Sequence, residues 1–234
     1  MAKKTPIFML ISLAITAIGI TISGVIFKQS ALRMIPLYVS LVIFLLQSSV
    51  NRFAPLIGGI NSVFYAIVYF YYELYATAIY SLIVSCPLQI ITFINWSKRK
   101  NGKTVNLKSM TVKGRILTTL AFLGCWVIMY IVMAKLGSSY MLFDNTTTLF
   151  GILITILTML AYVEYTYLKI PNVIITICMY IKMIADGTYE QTTFLISSCF
   201  SLICNILAFI TARKAFKKQQ TKNKDGDLYS IKFN

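Results

Sequence analysis

The sequence predicts an all-α, polytopic helical membrane protein with two parallel three-helix repeats, a linking helix between them and an extra N-terminal helix. Three observations lead to this prediction. The 234-residue chain is 58% hydrophobic and 12% charged, and a soluble domain of this length cannot bury so much apolar surface. Its apolar residues fall into runs close to the length that spans a bilayer. Polar residues then recur in the same order in two of the hairpins that these runs form.

Eight apolar segments set out the helices in chain order: 7–27, 34–50, 53–72, 74–96, 116–134, 146–163, 170–185 and 191–212. The first segment runs without a charge and precedes no small-residue cleavage site, so we interpret it as a helix and not as a signal peptide. The seventh is short and opens at Pro171. We interpret Pro55, Pro87 and Pro171 as kinks or segment openers.

These segments divide the chain into five parts: an N-terminal helix (1–33), a first three-helix repeat (34–96), a basic loop with the linking helix (97–134), a second three-helix repeat (135–212) and a basic tail (213–234). Asn61 and Tyr69 of the first repeat match Asn172 and Tyr180 of the second. After five extra residues in the second loop, three residues also correspond in order, namely Gln89, Phe93 and Lys98 with Asn205, Phe209 and Lys214. Two triples separated by one helix have the same orientation, which is the parallel repeat of sugar transporters of the SWEET type.

The basic residues set the expected orientation in the membrane. Lysine and arginine number 22 against 7 acidic residues, a net charge of +15. They lie at the ends of the apolar segments, which indicates membrane topology and not nucleic-acid binding. A cytoplasmic amino terminus places 18 of the 22 on the cytoplasmic side, including the 97–115 loop and the tail. We expect both termini in the cytoplasm and a tail that is disordered or lies on anionic lipid.

The chain carries little that could perform catalysis or hold a metal. Histidine is absent, and the five cysteines lie inside apolar segments without a CxxC pair. Nucleotide-binding and hydrolase motifs are missing too. We therefore predict no enzyme activity, no metal and no cofactor. Because no ionisable group lies near a segment centre, the sequence favours passive, facilitated movement of a neutral or weakly charged solute.

Amide and hydroxyl side chains at membrane depth are the candidates for a site. An amide in lipid must find a partner, so Asn61 and Asn172 are either interhelical contacts or part of a substrate site. Tyr65 and Tyr69 share the helical face of Asn61, and aromatic rings beside amides suit a planar heterocycle. Glu164 is interpreted as an interfacial acid. The Asn145-Thr146-Thr147 sequon is interpreted as a loop or helix cap.

These residues give the chain a family resemblance. The matching features of the first half are Gly59-Ile60-Asn61, Tyr65, Leu74-Tyr75, Pro87-Leu88-Gln89 and Trp96, and those of the second are Tyr165, Asn172 and Gly187. Over about residues 34–214 the chain resembles the nicotinamide riboside transporter (PnuC) family of vitamin and nucleoside facilitators. The resemblance implies a SWEET-like fold, a bacterial inner membrane, a homotrimer and a cytoplasmic kinase that traps the transported molecule by phosphorylation.

The chain departs from that family at the ligand site. The family's WxxWxxxN motif places its two tryptophans where Tyr165 and Leu168 stand here, ahead of Asn172. A family amide in the fourth segment appears as Ser81. Nicotinamide riboside is the first choice of substrate by family frequency, and thiamine, riboflavin or a deoxynucleoside are the alternatives. The predicted substrate-binding set is Asn61, Tyr65, Tyr69, Ser81, Gln89, Tyr165, Leu168, Asn172 and Tyr180.

Two alternative hypotheses assign the chain to other functional classes. One is a membrane scaffold or sensor that transports nothing and uses its basic tail, residues 213–234, to recruit a partner. A membrane-embedded enzyme ranks third, because the sequence offers no catalytic set.

Overall fold

The structure is a computed structural model that describes residues 7–71, 80–101, 104–135 and 140–232. In this described part there are eight α-helices: α1 (Ile7–Ile26), α2 (Ala31–Ser48), α3 (Phe53–Tyr71), α4 (Cys86–Lys98), α5 (Val112–Lys135), α6 (Met141–Met159), α7 (Glu164–Ala185) and α8 (Thr192–Lys232). A π-helical turn, Tyr80–Ser85, leads into α4, and a 3₁₀ turn, Tyr189–Gln191, leads into α8. Two short antiparallel strands, β1 (Lys100–Asn101) and β2 (Thr104–Val105), form a ladder in the loop after α4.

The helices pack as two triples, α2–α3–α4 and α6–α7–α8. Within each triple the middle helix contacts both others, and between the triples α2 packs on α8 and α4 on α6. If α2, α3 and α4 are exchanged for α6, α7 and α8, the same pairs of helices remain in contact. Two repeats related by an approximate two-fold axis require this equivalence. Helix α1 lies against α8 and α2, and α5 lies against α6. The predicted all-α fold class is confirmed, and the repeat remains our inference from packing and sequence.

Five of the described helices are long and apolar enough to cross a bilayer: Ile7–Ile26, Ala31–Ser48, Val112–Ile131, Glu164–Ala185 and Tyr189–Thr221. Phe53–Val68 and Asn145–Met159 are shorter apolar helices. Large aliphatic side chains are exposed along α1 and α5, among them Ile7, Val25, Leu117 and Ile128. In water these faces would be unfavourable, whereas hydrocarbon solvates them well.

The boundaries of the second triple differ from the sequence prediction. Helix α7 begins at Glu164 instead of near 170, and Pro171 lies inside it. Proline is tolerated within a membrane helix because neighbouring groups can satisfy the freed carbonyl. Pro87, by contrast, stands in the first turn of α4, as predicted for a segment opener.

One further expectation at a helix end was wrong. Helix α6 begins at Met141, so the Asn145 sequon lies inside a helix and not in a loop or cap. The Asn145 side chain is fully buried and donates to the Trp126 carbonyl at 3.0 Å. The backbone of the tail is helical as far as Lys232 and so is not disordered there, while its contact with anionic lipid stays a prediction.

The described part of the loop between α4 and α5, residues 99–101 and 104–111, is hydrogen-bonded to the second triple. The Lys108 amide donates to the Ala161 carbonyl at 3.0 Å, and the Val163 amide donates to the Lys108 carbonyl at 2.8 Å. Arg115 forms an ion pair of 2.8 Å with Glu164, whose side chain is 13% exposed. Glu164 therefore anchors this loop, a larger role than that of an interfacial acid. We call this end of the bundle the loop end.

Candidate functional site

The asparagines Asn61 and Asn172 occupy the same place along their helices. Helix α3 begins at Phe53 and α7 at Glu164, so Asn61 and Asn172 are each the ninth residue of their helix. Eight steps of 1.5 Å place both about 12 Å from the loop end. In a hydrocarbon layer roughly 30 Å thick this depth is close to the middle.

Asn61 joins α3 to α2 and keeps one acceptor free. It is 4% exposed. Its Nδ2 donates to Ser40 Oγ at 2.9 Å and to the Pro36 carbonyl at 3.2 Å. The Tyr65 hydroxyl lies 3.4 Å from Ser40 Oγ and extends this polar contact. The amide nitrogen therefore serves as an interhelical contact, while the amide oxygen remains for another donor.

The carbonyl oxygens of Asn61 and Asn172 are among five buried side-chain oxygens that have no described hydrogen-bond partner, with those of Gln29, Asn145 and Glu164. Both Oδ1 atoms are buried and accept no hydrogen bond from the described residues. Leaving a buried acceptor unsatisfied costs about 1–3 kcal/mol, so each atom calls for a donor such as a ligand or a water molecule. Thr176 donates to the backbone carbonyl of Asn172 at 2.9 Å and leaves the side-chain oxygen unpartnered.

Gln89 is held by a small network between α3 and α4. Its Nε2 donates to Ser62 Oγ at 3.3 Å, and Ser62 Oγ lies 2.9 Å from Ser85 Oγ. The amide reaches this position because Gly58 has no side chain. A Cβ at Gly58 would lie 1.9 Å from Gln89 Oε1. The glycine therefore makes room for the amide, which is a specific reason for its presence in α3.

A cavity of about 160 Å³ lies between the triples, on the loop-end side of the two asparagines. Its lining combines amide, hydroxyl, ammonium and apolar groups from α2, α3, α4, α6 and α7: Gln47, Pro55, Gln89, Thr92, Ile154, Thr155, Thr158 and Lys169. Pockets for small organic ligands usually measure about 300–1,000 Å³. A vitamin-sized molecule could therefore enter only if the helices move apart.

Tyr165 and Leu168, at the family's two tryptophan positions, belong to a buried cluster at the loop end and not to the cavity lining. Tyr165 is 2% exposed and its ring centroid lies 6.0 Å from that of Trp96. Trp96 donates to the Thr158 carbonyl at 2.6 Å, which ties α4 to α6. Leu168 packs against the same cluster. These side chains close the loop end below the cavity.

The remaining predicted site residues are dispersed. Ser81 is buried in the π-helical turn. Tyr180 packs against Phe194 with ring centroids 5.8 Å apart, eight residues beyond Asn172 in the direction away from the loop end. Tyr69 lies in α3, and its side chain is outside the described part of the structure. Among the described residues, Gln89 is the member of the predicted set that lines the cavity.

The sequence interpretation missed several lining residues, most importantly Lys169. With a segment predicted to begin at 170, this lysine counted as a cation in the adjoining loop. Helix α7 begins six residues earlier, at Glu164, which brings Lys169 into the bundle. Its Nζ donates to Gln47 Oε1 at 2.6 Å and lies 5.4 Å from the centroid of the Tyr165 ring. A polar residue such as Gln47 near the end of an apolar helix was the signal that could have been followed.

Comparison with known proteins gives two matches. Residues 30–214 match the profile of a protein family described as "Nicotinamide mononucleotide transporter". A solved structure described as "Crystal structure of the Vitamin B3 transporter PnuC" is similar with a TM-score of 0.74 and 21% sequence identity, over 93% of this chain and 94% of that one. At that identity the similarity establishes the fold. Comparison with curated proteins gives no match.

Proposed function

The chain belongs to the nicotinamide mononucleotide transporter family, and we propose that it moves a vitamin-type heterocycle or nucleoside across the membrane by facilitated diffusion. Membership confirms the family predicted from the sequence and makes the chain a multi-pass membrane protein of a transporter family. The family resemblance ranks nicotinamide riboside first among substrates. Thiamine, riboflavin and deoxynucleosides are the alternatives.

One observation supports this proposal above the others. Two buried amide oxygens without described donors, on Asn61 and Asn172, stand at equivalent positions in opposite triples. Asn61 follows the cavity-lining Pro55 by six residues, and Asn172 follows the cavity-lining Lys169 by three. A heterocycle or ribose offers N–H and O–H donors that could satisfy both. We assign ligand contact to Asn61, Asn172 and Gln89. Tyr65, which is joined to Asn61 through Ser40, would support the ligand ring.

The other predicted residues take supporting roles in this proposal. Tyr165 and Leu168 form the closure at the loop end, which must open for the ligand to leave. Ser81, Tyr69 and Tyr180 would contact the ligand as it passes toward the opposite end. The triples exchange opening at one end for opening at the other around a fixed site, as in other transporters built from repeats.

The proposal also includes the setting of the transporter. The family resemblance supports a bacterial inner membrane location, and the charge distribution supports both termini in the cytoplasm. We further propose a homotrimer and a cytoplasmic kinase that phosphorylates the product. Such trapping would give facilitated diffusion a direction without an ion gradient.

A thermal-shift screen of the purified protein tests the proposal. Nicotinamide riboside, thiamine, riboflavin and deoxynucleosides are added in turn over a concentration series. A true ligand stabilises the folded state by an amount that grows with its concentration. We expect at least one compound to raise the unfolding midpoint in this way. If every compound leaves the midpoint unchanged, the proposed substrate class is wrong.

A further inference from the structure

Lys169 places a positive charge inside the bundle, at the wall of the cavity. Resting on the function proposed above, we infer that this charge makes the site selective for uncharged or anionic ligands and unfavourable for cationic ones. The inference reorders the candidate substrates. Nicotinamide riboside carries a permanent pyridinium charge and thiamine a thiazolium charge, whereas riboflavin and the deoxynucleosides are uncharged.

The position of the ammonium is fixed by neutral groups. Lys169 Nζ donates to Gln47 Oε1 at 2.6 Å across the α2–α7 contact. The same nitrogen lies 5.4 Å from the centre of the Tyr165 ring, within the range of a cation–π contact. An amide and a ring face orient a cation without cancelling its charge. The field of Lys169 therefore extends into the cavity.

The described carboxylates are engaged elsewhere. Glu164 pairs with Arg115, Asp186 with Lys182 and Glu190 with Arg33, and all three pairs lie at helix ends. Among the residues whose side chains the structure describes, no carboxylate comes within 4.0 Å of Lys169. An ionisable residue at membrane depth without a counter-charge is costly and is usually retained for function.

Comparison of the triples shows that this charge is specific to the second. Lys169 is the sixth residue of α7, and Gly58 is the sixth residue of α3. At Gly58 the space is filled by the neutral amide of Gln89 from α4. The two halves thus offer the cavity an amide on one side and an ammonium on the other. A polar, uncharged ligand can bond to both, and a ligand bearing a carboxylate or phosphate gains an ion pair with Lys169.

The expected size of the effect follows from Coulomb's law. At an effective dielectric constant of about 20, two like charges about 8 Å apart change a binding constant roughly thirtyfold. Solvent in the cavity reduces this value, so we expect a discrimination of about tenfold. Interactions of this kind act on the charge of the ligand and not on its shape.

A matched pair of ligands isolates that charge. Nicotinamide riboside and its reduced dihydropyridine form share the sugar and the carboxamide and differ in the charge of the ring. We expect the wild-type protein to bind the reduced form at least tenfold more tightly. Lys169→Gln should reduce this preference about tenfold, and Lys169→Arg, which keeps the charge, should retain it. An equal ratio of affinities in wild type and Lys169→Gln would overturn the inference.

A second measurement tests for the positive charge in the cavity in the absence of ligand. Thr155→Cys places a thiol on the cavity wall, and its reaction rates with an anionic and a cationic methanethiosulfonate are compared. The parent with Thr155 intact gives the contribution of the native cysteines. The ratio of the anionic to the cationic reaction rate should be higher for this thiol than for a free thiol in solution. Lys169→Gln should lower this rate ratio about tenfold, and Lys169→Arg should maintain it. An unchanged ratio in Lys169→Gln contradicts the inference even if the substrate class proposed above is wrong.

Discussion

Gly58 and Gly59 provide a matched pair of substitutions that tests the role of the Gln89 amide. A Cβ at Gly58 would lie 1.9 Å from Gln89 Oε1, whereas the three nearest atoms to a Cβ at Gly59 are 3.5–3.7 Å away. Real Cβ contacts are essentially never shorter than 3.0 Å, so Gly58→Ala must displace the amide oxygen by at least 1.1 Å (3.0 less 1.9). Gly59→Ala makes ordinary contacts and leaves Gln89 in place.

The two substitutions should differ in binding more than in stability. Each replaces glycine by alanine inside α3, which favours the helix by about 0.5–1 kcal/mol. Gly58→Ala also breaks the 3.3 Å bond from Gln89 to Ser62, at a cost of about 0.5–1.5 kcal/mol. Its free energy of unfolding should therefore change by less than about 1 kcal/mol. Because it removes the Gln89 amide from the cavity wall, ligand affinity should fall at least tenfold, or about 1.4 kcal/mol.

The assay measures ligand affinity by calorimetry and the unfolding midpoint, both on purified variants. Gly59→Ala should bind as wild type does and unfold at a slightly higher temperature. The reasoning is refuted if Gly58→Ala binds the ligand as tightly as Gly59→Ala does, since the displaced amide would then have no part in the site. Equal loss of affinity in both variants would also refute it, because helix packing alone would then explain the loss.

Three further predictions concern the site, the loop and the tail. Asn172→Ala should lower ligand affinity at least tenfold, about 1.4 kcal/mol, and unchanged affinity in purified protein would remove Asn172 from the site. Glu164→Gln should lower the free energy of unfolding by up to about 1 kcal/mol, because it removes the charge that pairs with the half-exposed Arg115. A thermal midpoint equal to that of wild type would contradict the anchoring role. Deleting residues 222–234, which spares the contact of Gln219 with the loop, should leave uptake intact. Loss of uptake on that deletion would contradict a facilitator whose tail has no part in transport.

Much of the fold could be predicted from the sequence because a bilayer restricts the alternatives. Apolar runs of spanning length must be helices in hydrocarbon, where each backbone group needs an internal partner. The correspondence of Asn61 with Asn172 could also be predicted, because matching residues recur in the same order in both halves of the chain. Local patterns of hydrophobicity and polarity are sufficient for predictions of this kind.

Helix ends and side-chain neighbours could not be obtained in the same way. Hydropathy places a boundary where charge begins, so Glu164 and Lys169 moved the predicted start of α7 past its true position. Whether a cation lies in a loop or faces a cavity depends on the helix opposite, which here supplies Gln47. The positions of Tyr165 and Leu168 in the loop-end cluster depend in the same way on Trp96 from another helix.

Uptake into proteoliposomes tests the central claim most directly. Purified protein is reconstituted without ATP and without an ion gradient, and entry of the radiolabelled ligand from the thermal-shift screen is followed over time. We predict that the ligand enters faster than in protein-free vesicles and stops at equal concentrations inside and outside. Entry no faster than in protein-free vesicles would contradict transport. Accumulation driven by an imposed proton or sodium gradient would contradict facilitated diffusion.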